Sequence, residues 1–175
     1  MDEAISKLVA PLTDSRRAHS LAVGRRMESV AELLPEHLRA DAVIAAYLHD
    51  VGYGHVDTGF HPIDGARLLR SLGYSAVVCH IVAFHTAAVV EAEVRGLDPR
   101  AFDEFQLKGV PGLDLADDFM WWADLSTGPS GQDFTVDERI SEILSRYEPG
   151  SVVHTAISRA EPRLRAAAQR AAGSM

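Results

Sequence analysis

No stretch of this chain alternates β-branched and polar residues over a useful length; apolar residues recur at helical spacing almost from end to end. A chain that offers only helix faces for burial must pack helix on helix. Proline and glycine then say where each helix stops. A short helix over 3–10 ends at Pro11, and Asp14 or Ser15 is the expected N-cap of a helix reaching about Leu34. Val23, Met27, Val30 and Leu34 form its buried stripe. Pro35 restarts the chain, and "HLRADAVIAAYLHD" carries Val43, Ile44, Tyr47, Leu48 and Val51 on one broad face before Gly52 and Gly54 end it as a C-cap. "HPIDGARLLRSLG" has Pro62 in its first turn and Gly73 past its end. "SAVVCHIVAFHTAAVVEAEVRG" keeps the helical period with a break near Thr86. Residues 96–112 hold two prolines and three glycines and are expected to be a long loop or a lid over a site. "LDLADDFMWWADLS" is helical up to "TGPSG", and "TVDE" at 135–138 is a capping box for a helix that buries Val136, Ile140, Ile143, Leu144 and Tyr147. One or two arginine- and alanine-rich helices follow Gly150. The expectation is an all-α fold of about seven or eight helices, with residues 1–175 forming a single domain.

Composition excludes several function classes. The net charge of −8 argues against a nucleic-acid surface, which needs clustered positive charge, but leaves room for a small phosphorylated ligand held by a few local cations. The single cysteine, Cys79, permits no internal disulfide and is expected to be a small core residue. No stretch reads as long and apolar enough to span a bilayer, and the first residues lack the plan of a signal peptide. The expected location is cytoplasmic, with no membrane partner.

"YLHDVGYGH" at 47–55 places an imidazole and a carboxylate at the end of an apolar helix. With 8 His and 14 Asp in 175 residues, 8 × 14/175 ≈ 0.6 such pairs arise by chance, so His49-Asp50 alone decides nothing. Helical phase adds weight. At about 100° per residue, His19 lies about 40° from Val23 and about 20° from Val30, on the apolar stripe. His85 lies about 20° from Val78, and Asp124 about 40° from Met120, so both point inward. His80 lies about 140° from His85 and cannot share its metal without a break. An ionised Asp124 facing inward is costly unless paired or metal-bound. His61 precedes Pro62 at a helix start. Five helical elements thus each offer an imidazole or a carboxylate, a mixed donor set that suits a first-row divalent metal.

The order His19, His49-Asp50, His61, His85, Asp124 on an all-α background resembles the HD superfamily of metal-dependent phosphohydrolases. The stretches that carry the resemblance are "RRAHSLAVGRRM", "AAYLHDVGYG", "HPIDGARLLRSLGY", "IVAFHTA" and "WWADLS", over residues 16 to about 126. The resemblance implies that His19, His49, Asp50 and Asp124 hold one metal ion, and that Asp50 bridges to a second held by His61 and His85. It is nearest to the branch with a dinuclear site, which includes symmetric dinucleoside-tetraphosphate hydrolases and, at greater distance, HD-GYP cyclic-dinucleotide phosphodiesterases. HD-GYP proteins usually carry a lysine where this chain has Tyr53, and the GYP signature is absent.

The implied function is hydrolysis of a phosphoester or phosphoanhydride of a nucleotide or other small phosphorylated metabolite, by attack of a metal-bound hydroxide. The implied cofactor is one or two divalent ions, drawn from Fe, Mn, Co or Zn. Asp50 and His49 are the expected catalytic pair. Arg16, one turn before His19, is the expected phosphate contact; Arg67 and Lys108 are weaker candidates, Arg67 being as readily paired with Asp64. Two alternatives keep the metal site: a di-iron oxygenase, which would consume oxygen and need iron, and a non-catalytic metal-binding regulatory domain. His37, His55 and His154 are expected on the surface or without a partner. His80 and Asp117 are reserve ligands.

Overall fold

The computed structural model describes residues 3–175. Among these, nine α-helical segments account for the architecture: α1 Glu3–Val9, α2 Asp14–Val30, α3 Glu36–Leu48, α4 His61–Ser71, α5 Ala76–Phe84, α6 Ala88–Arg95, α7 Leu113–Leu125, α8 Val136–Arg146 and α9 Val152–Ser174. Short 3-10 turns join several of them, and the sole extended pairing among the described residues is one isolated bridge, Thr127 with Asp133. The fold is all-α, as expected.

Helix α3 lies at the centre, packed against α1, α2, α5 and α7. Its burial rests on small residues: Ala42, Ala45, Ala46 and Leu48 are fully enclosed, while Val43 and Ile44, expected on the core face, are only partly buried. Alanines let neighbouring helices come close. Gly24 takes this furthest, because a Cβ there would overlap the Tyr47 ring on α3. Helix α4 pairs with α5, and the long α9 covers α6, α7 and α8. Val23, Met27, Val30 and Leu34 are buried together, as their spacing predicts, and Cys79 is a core residue.

Several local expectations need correction. The N-cap of α2 is Thr13, whose hydroxyl accepts from the Arg16 amide; Asp14 instead pairs with Arg17. Gly52 and Gly54 are not left-handed C-caps, because the chain runs on through a 3-10 turn, Val51–Gly54. Gly52 is required for a different reason: a Cβ there would overlap the carbonyl of His61 and crowd the amide of Gly65. The chain thereby lays α4 directly on the turn that follows His49-Asp50.

Residues 76–95 do have the length and apolar composition of a membrane span, contrary to the expectation that no such stretch exists. The structure breaks this run. Thr86 and Ala87 take positive φ of 46° and 56°, which separates α5 from α6, and most of the segment is buried inside the bundle. The proposed break near Thr86 is therefore real and marked by two consecutive left-handed non-glycine residues.

Residues 96–112, expected as a long loop or a lid, are anchored to the core. Phe102 and Phe105 are core residues, and the Phe105 carbonyl receives a hydrogen bond from the His80 ring. Arg67 pairs with Glu104 and Asp57 rather than with Asp64. Asp64 turns inward, where its carboxylate accepts the amides of Asp57, Thr58 and Gly59 and the Thr58 hydroxyl. The capping box of α8 is formed as predicted, and a single helix, α9, follows it with Pro162 inside.

Candidate metal centre

Five elements bring six side chains together. His19 projects from the buried face of α2; His49 and Asp50 follow the last turn of α3; His61 opens α4; His85 ends α5; Asp124 sits in the last turn of α7. They fall into two groups able to hold a metal ion, His19 with His49 and Asp124, and Asp50 with His61 and His85. His49 is 1% exposed, and His19, Asp50 and His85 are also buried.

The helix end explains why adjacent residues serve one site. His49 still has helical backbone angles, whereas Asp50 has φ −95° and ψ 4°, so its side chain is no longer held on the opposite wall. Asp50 then faces both groups: Oδ2 lies 3.6 Å from His49 Nε2, and Oδ1 lies 3.5 Å from His61 Nε2. Arg16 also reaches Asp50, with Nη1 2.6 Å from Oδ2. The Arg16 guanidinium lies 3.5 Å from the centre of the Tyr53 ring, which in turn stacks on His61 at 3.9 Å. His61 is thus clamped from outside by an aromatic face.

Three of the four histidines have their tautomer fixed by backbone carbonyls. Nδ1 of His19 donates to Gly128 at 2.9 Å, Nδ1 of His49 to Ala46 at 2.8 Å, and Nδ1 of His85 to Val82 at 2.6 Å. A carbonyl can only accept, so each ring turns its Nε2 lone pair to the centre. This is how metal-binding imidazoles are usually held. Asp124 is positioned similarly, with Oδ2 accepting the Thr86 hydroxyl and Oδ1 2.9 Å from His19 Nε2.

The electrostatics suit metal ligands. Burial pushes the His49 imidazole below its ordinary pKa, against the pull of Asp50 and Asp124. Burial pushes His61 well below, against Asp50, with His85 and Arg16 adding to the fall. Burial opposes ionisation of Asp50, yet His49, Arg16 and the other histidines hold it below the usual carboxylate range. Asp124 is held well below by His19, His49 and His85, again against burial. His19 rises, since Asp124 outweighs its burial. His49 and His61, held neutral beside the ionised Asp50 and Asp124, are in the form a metal ion requires, whereas His19 has to give up a proton to ligate one.

The residues present fit such an ion. His49 Nε2 is buried without a hydrogen-bond partner among the described residues, a costly state for a polar atom. His85 Nε2 faces His61 Nε2 at 3.2 Å, and His19 Nε2 faces a carboxylate oxygen, so lone pairs confront one another unless a proton or a cation lies between. The mixed donor set of imidazole nitrogen and carboxylate oxygen suits a first-row divalent ion.

A cavity of about 140 Å³ opens over these groups. Arg16 lines it; Arg67, Lys108 and the segment 96–112 do not. His80 and Asp117 pair with each other at 3.3 Å on another part of α5 and α7 and take no part. His154 sits near Ser158, and His37 is exposed. Sequence reasoning missed much of the cavity wall: Tyr53, Thr86 and Glu91 on the near side, and Arg139, Arg146 and Tyr147 on α8 and just after it. Thr86 carried one usable signal, as the residue at the break following His85; the arginines of α8 carried none.

The chain has no match among curated proteins and none among solved structures. A family model does match: the HD domain, over residues 16–122, which takes in His19, His49, Asp50, His61 and His85 and stops two residues short of Asp124. That match covers more than half of the chain and coincides with the helices that build the centre, so the chain belongs to the HD domain family, whose members are in general metal-dependent hydrolases.

Proposed function

We propose that this protein is a metal-dependent phosphohydrolase that cleaves a phosphoester or phosphoanhydride bond of a small phosphorylated metabolite, nucleotides included. The observation that carries this is the placement of Asp50, which belongs to the group of His61 and His85 through Oδ1 and turns Oδ2 to His49 of the other group. Divalent ions bound there would supply Lewis-acid charge for the phosphoryl oxygens and bring the pKa of water toward neutrality. His19, His49 and Asp124 would hold one ion, His61 and His85 the other, and Asp50 would bridge them.

The remaining chemistry belongs to the chain's own residues. Arg16 lines the cavity as a fixed cation beside Asp50, and its guanidinium would take two phosphate oxygens in bidentate fashion. Tyr53 holds the Arg16 plane and the His61 ring in place. The burial of His49, Asp50 and His85 keeps bulk water from the bridging carboxylate, which strengthens every charge interaction there.

Metal content by elemental analysis tests the proposal, with Asp50→Ala run in parallel. The expected result is about one to two equivalents in the wild type and little in the variant. The metal-loaded wild type should then hydrolyse members of a phosphorylated-metabolite panel. A wild type that binds none of manganese, iron, cobalt or zinc overturns the assignment.

A further inference from the structure

Beyond residue 122 the chain leaves the matched HD segment, yet it goes on building the cavity. Helix α8 and the start of α9 supply Arg139, Ile143, Arg146, Tyr147, Val153 and Ile157 to its wall. Arg139 is the unusual member. It is 8% exposed, and of its three guanidinium nitrogens only Nη1 is bonded among the described residues, to Glu142. Its Nε is buried with no partner among the described residues. Arginine is almost never buried without full pairing, because a guanidinium removed from water must recover its hydrogen bonds elsewhere.

Charge points the same way. Glu142 is shared: Oε2 meets Arg139, and Oε1 lies 3.3 Å from Arg146 Nε. Two cations therefore face one carboxylate on this wall. Glu91, which also lines the cavity, is paired with Arg95 at 2.7 Å, and the remaining acids there, Asp50 and Asp124, belong to the histidine cluster. The wall thus carries surplus positive charge beside the apolar Ile143, Val153 and Ile157 and the Tyr147 ring.

We infer that Arg139, supported by Arg146, forms a second anion subsite of the cavity, and that the substrate is a small molecule with two anionic groups. Resting on the phosphohydrolase reading, this places the scissile phosphate at the histidine and aspartate cluster and a second phosphate or carboxylate at Arg139. The body between them packs on Ile143, Tyr147, Val153 and Ile157. A void of ~150 Å³ accepts benzene, so a cavity of about 140 Å³ has room for a body the size of a single ring.

The test uses phenyl phosphate and its 3- and 4-carboxy derivatives, which differ only by the second anion. Their binding to the full chain supplied with manganese is measured by calorimetry, and their hydrolysis is followed separately. The wild type should bind at least one carboxylated isomer about tenfold more tightly than phenyl phosphate. Arg139→Gln should bring that ratio close to unity, and Arg139→Lys should restore part of it. Arg146→Gln, at a side chain that is 40% exposed, provides a second variant that keeps the fold intact and should also lower the ratio. Equal affinity of the wild type for all three compounds, failure of both carboxylated isomers to bind, or a ratio untouched by both glutamine variants overturns the subsite. If a carboxylated isomer binds more tightly through Arg139 yet none is hydrolysed, the subsite stands and the phosphohydrolase reading falls.

Discussion

Thr86 stands in the left-handed region without being glycine or asparagine, and it spends that strain on one hydrogen bond, from its hydroxyl to Asp124 Oδ2. Strain of this kind persists only where the surroundings over-determine it. The bond leaves Asp124 Oδ1 facing His19 and His49. Thr86→Val keeps the shape and removes the donor; metal affinity in a competition titration with a chelator should fall roughly 10- to 100-fold, the usual effect of losing such a support. Thr86→Ser should keep most of it. An unchanged affinity in Thr86→Val would mean that the hydroxyl does not orient Asp124.

At the scale of elements, the decisive junction is the 3-10 turn Val51–Gly54 against the first turn of α4. Gly52→Ala forces a methyl group into the His61 carbonyl and should cost about 1–3 kcal/mol in denaturant unfolding. It should also reduce bound metal, because His61 moves with its backbone. Gly173→Ala, near the end of α9 where a Cβ meets open space, is the control and should neither lower stability nor change bound metal. Asp64 secures the same junction. Burial raises its carboxyl, but the Thr58 hydroxyl and three backbone amides together hold it below the ordinary range. Its folded pKa is therefore lower than its unfolded one, so its stabilisation is present above about pH 4 and is lost as pH falls through the folded value. Asp64→Asn should flatten the acid side of the stability profile below about pH 4 and lower stability at neutral pH.

Much of this was legible in the chain. Helix phase put His19, His85 and Asp124 inside because apolar neighbours three, four and seven residues away fix which face is buried, a local property. Residues Pro62, Gly73 and the 135–138 capping box marked their boundaries for equally local reasons. The N-cap at Thr13 escaped because three consecutive polar residues, Thr13 to Ser15, can all cap. Gly52 was read as a helix stop because its real constraint, the approach of α4, comes from residues that the local pattern does not reach. Arg139 escaped for the same reason: one more arginine on an amphipathic helix gives no sign that its face meets the histidines.

At the scale of the whole molecule, the centre ties together α2, α3, α4, α5 and α7, so any ion it holds stabilises nearly the whole bundle. An ion present at about 100 times its dissociation constant adds ~2.7 kcal/mol. For a chain of this size that raises the melting temperature by roughly 5–10 °C. Differential scanning fluorimetry with and without a chelator measures the shift. No shift, with metal verified in the sample, would mean that the ion sits elsewhere.

His19 and Asp124 meet across 105 positions of the chain. During synthesis, the first ligand therefore leaves the ribosome long before its partner exists, and four of the six ligands have emerged by residue 61. A complete centre cannot be loaded until α7 has been made and has docked. Capture of an ion by His19, His49 and Asp124 would thus be a late event in the life of each molecule, and that ion would report that the bundle has closed.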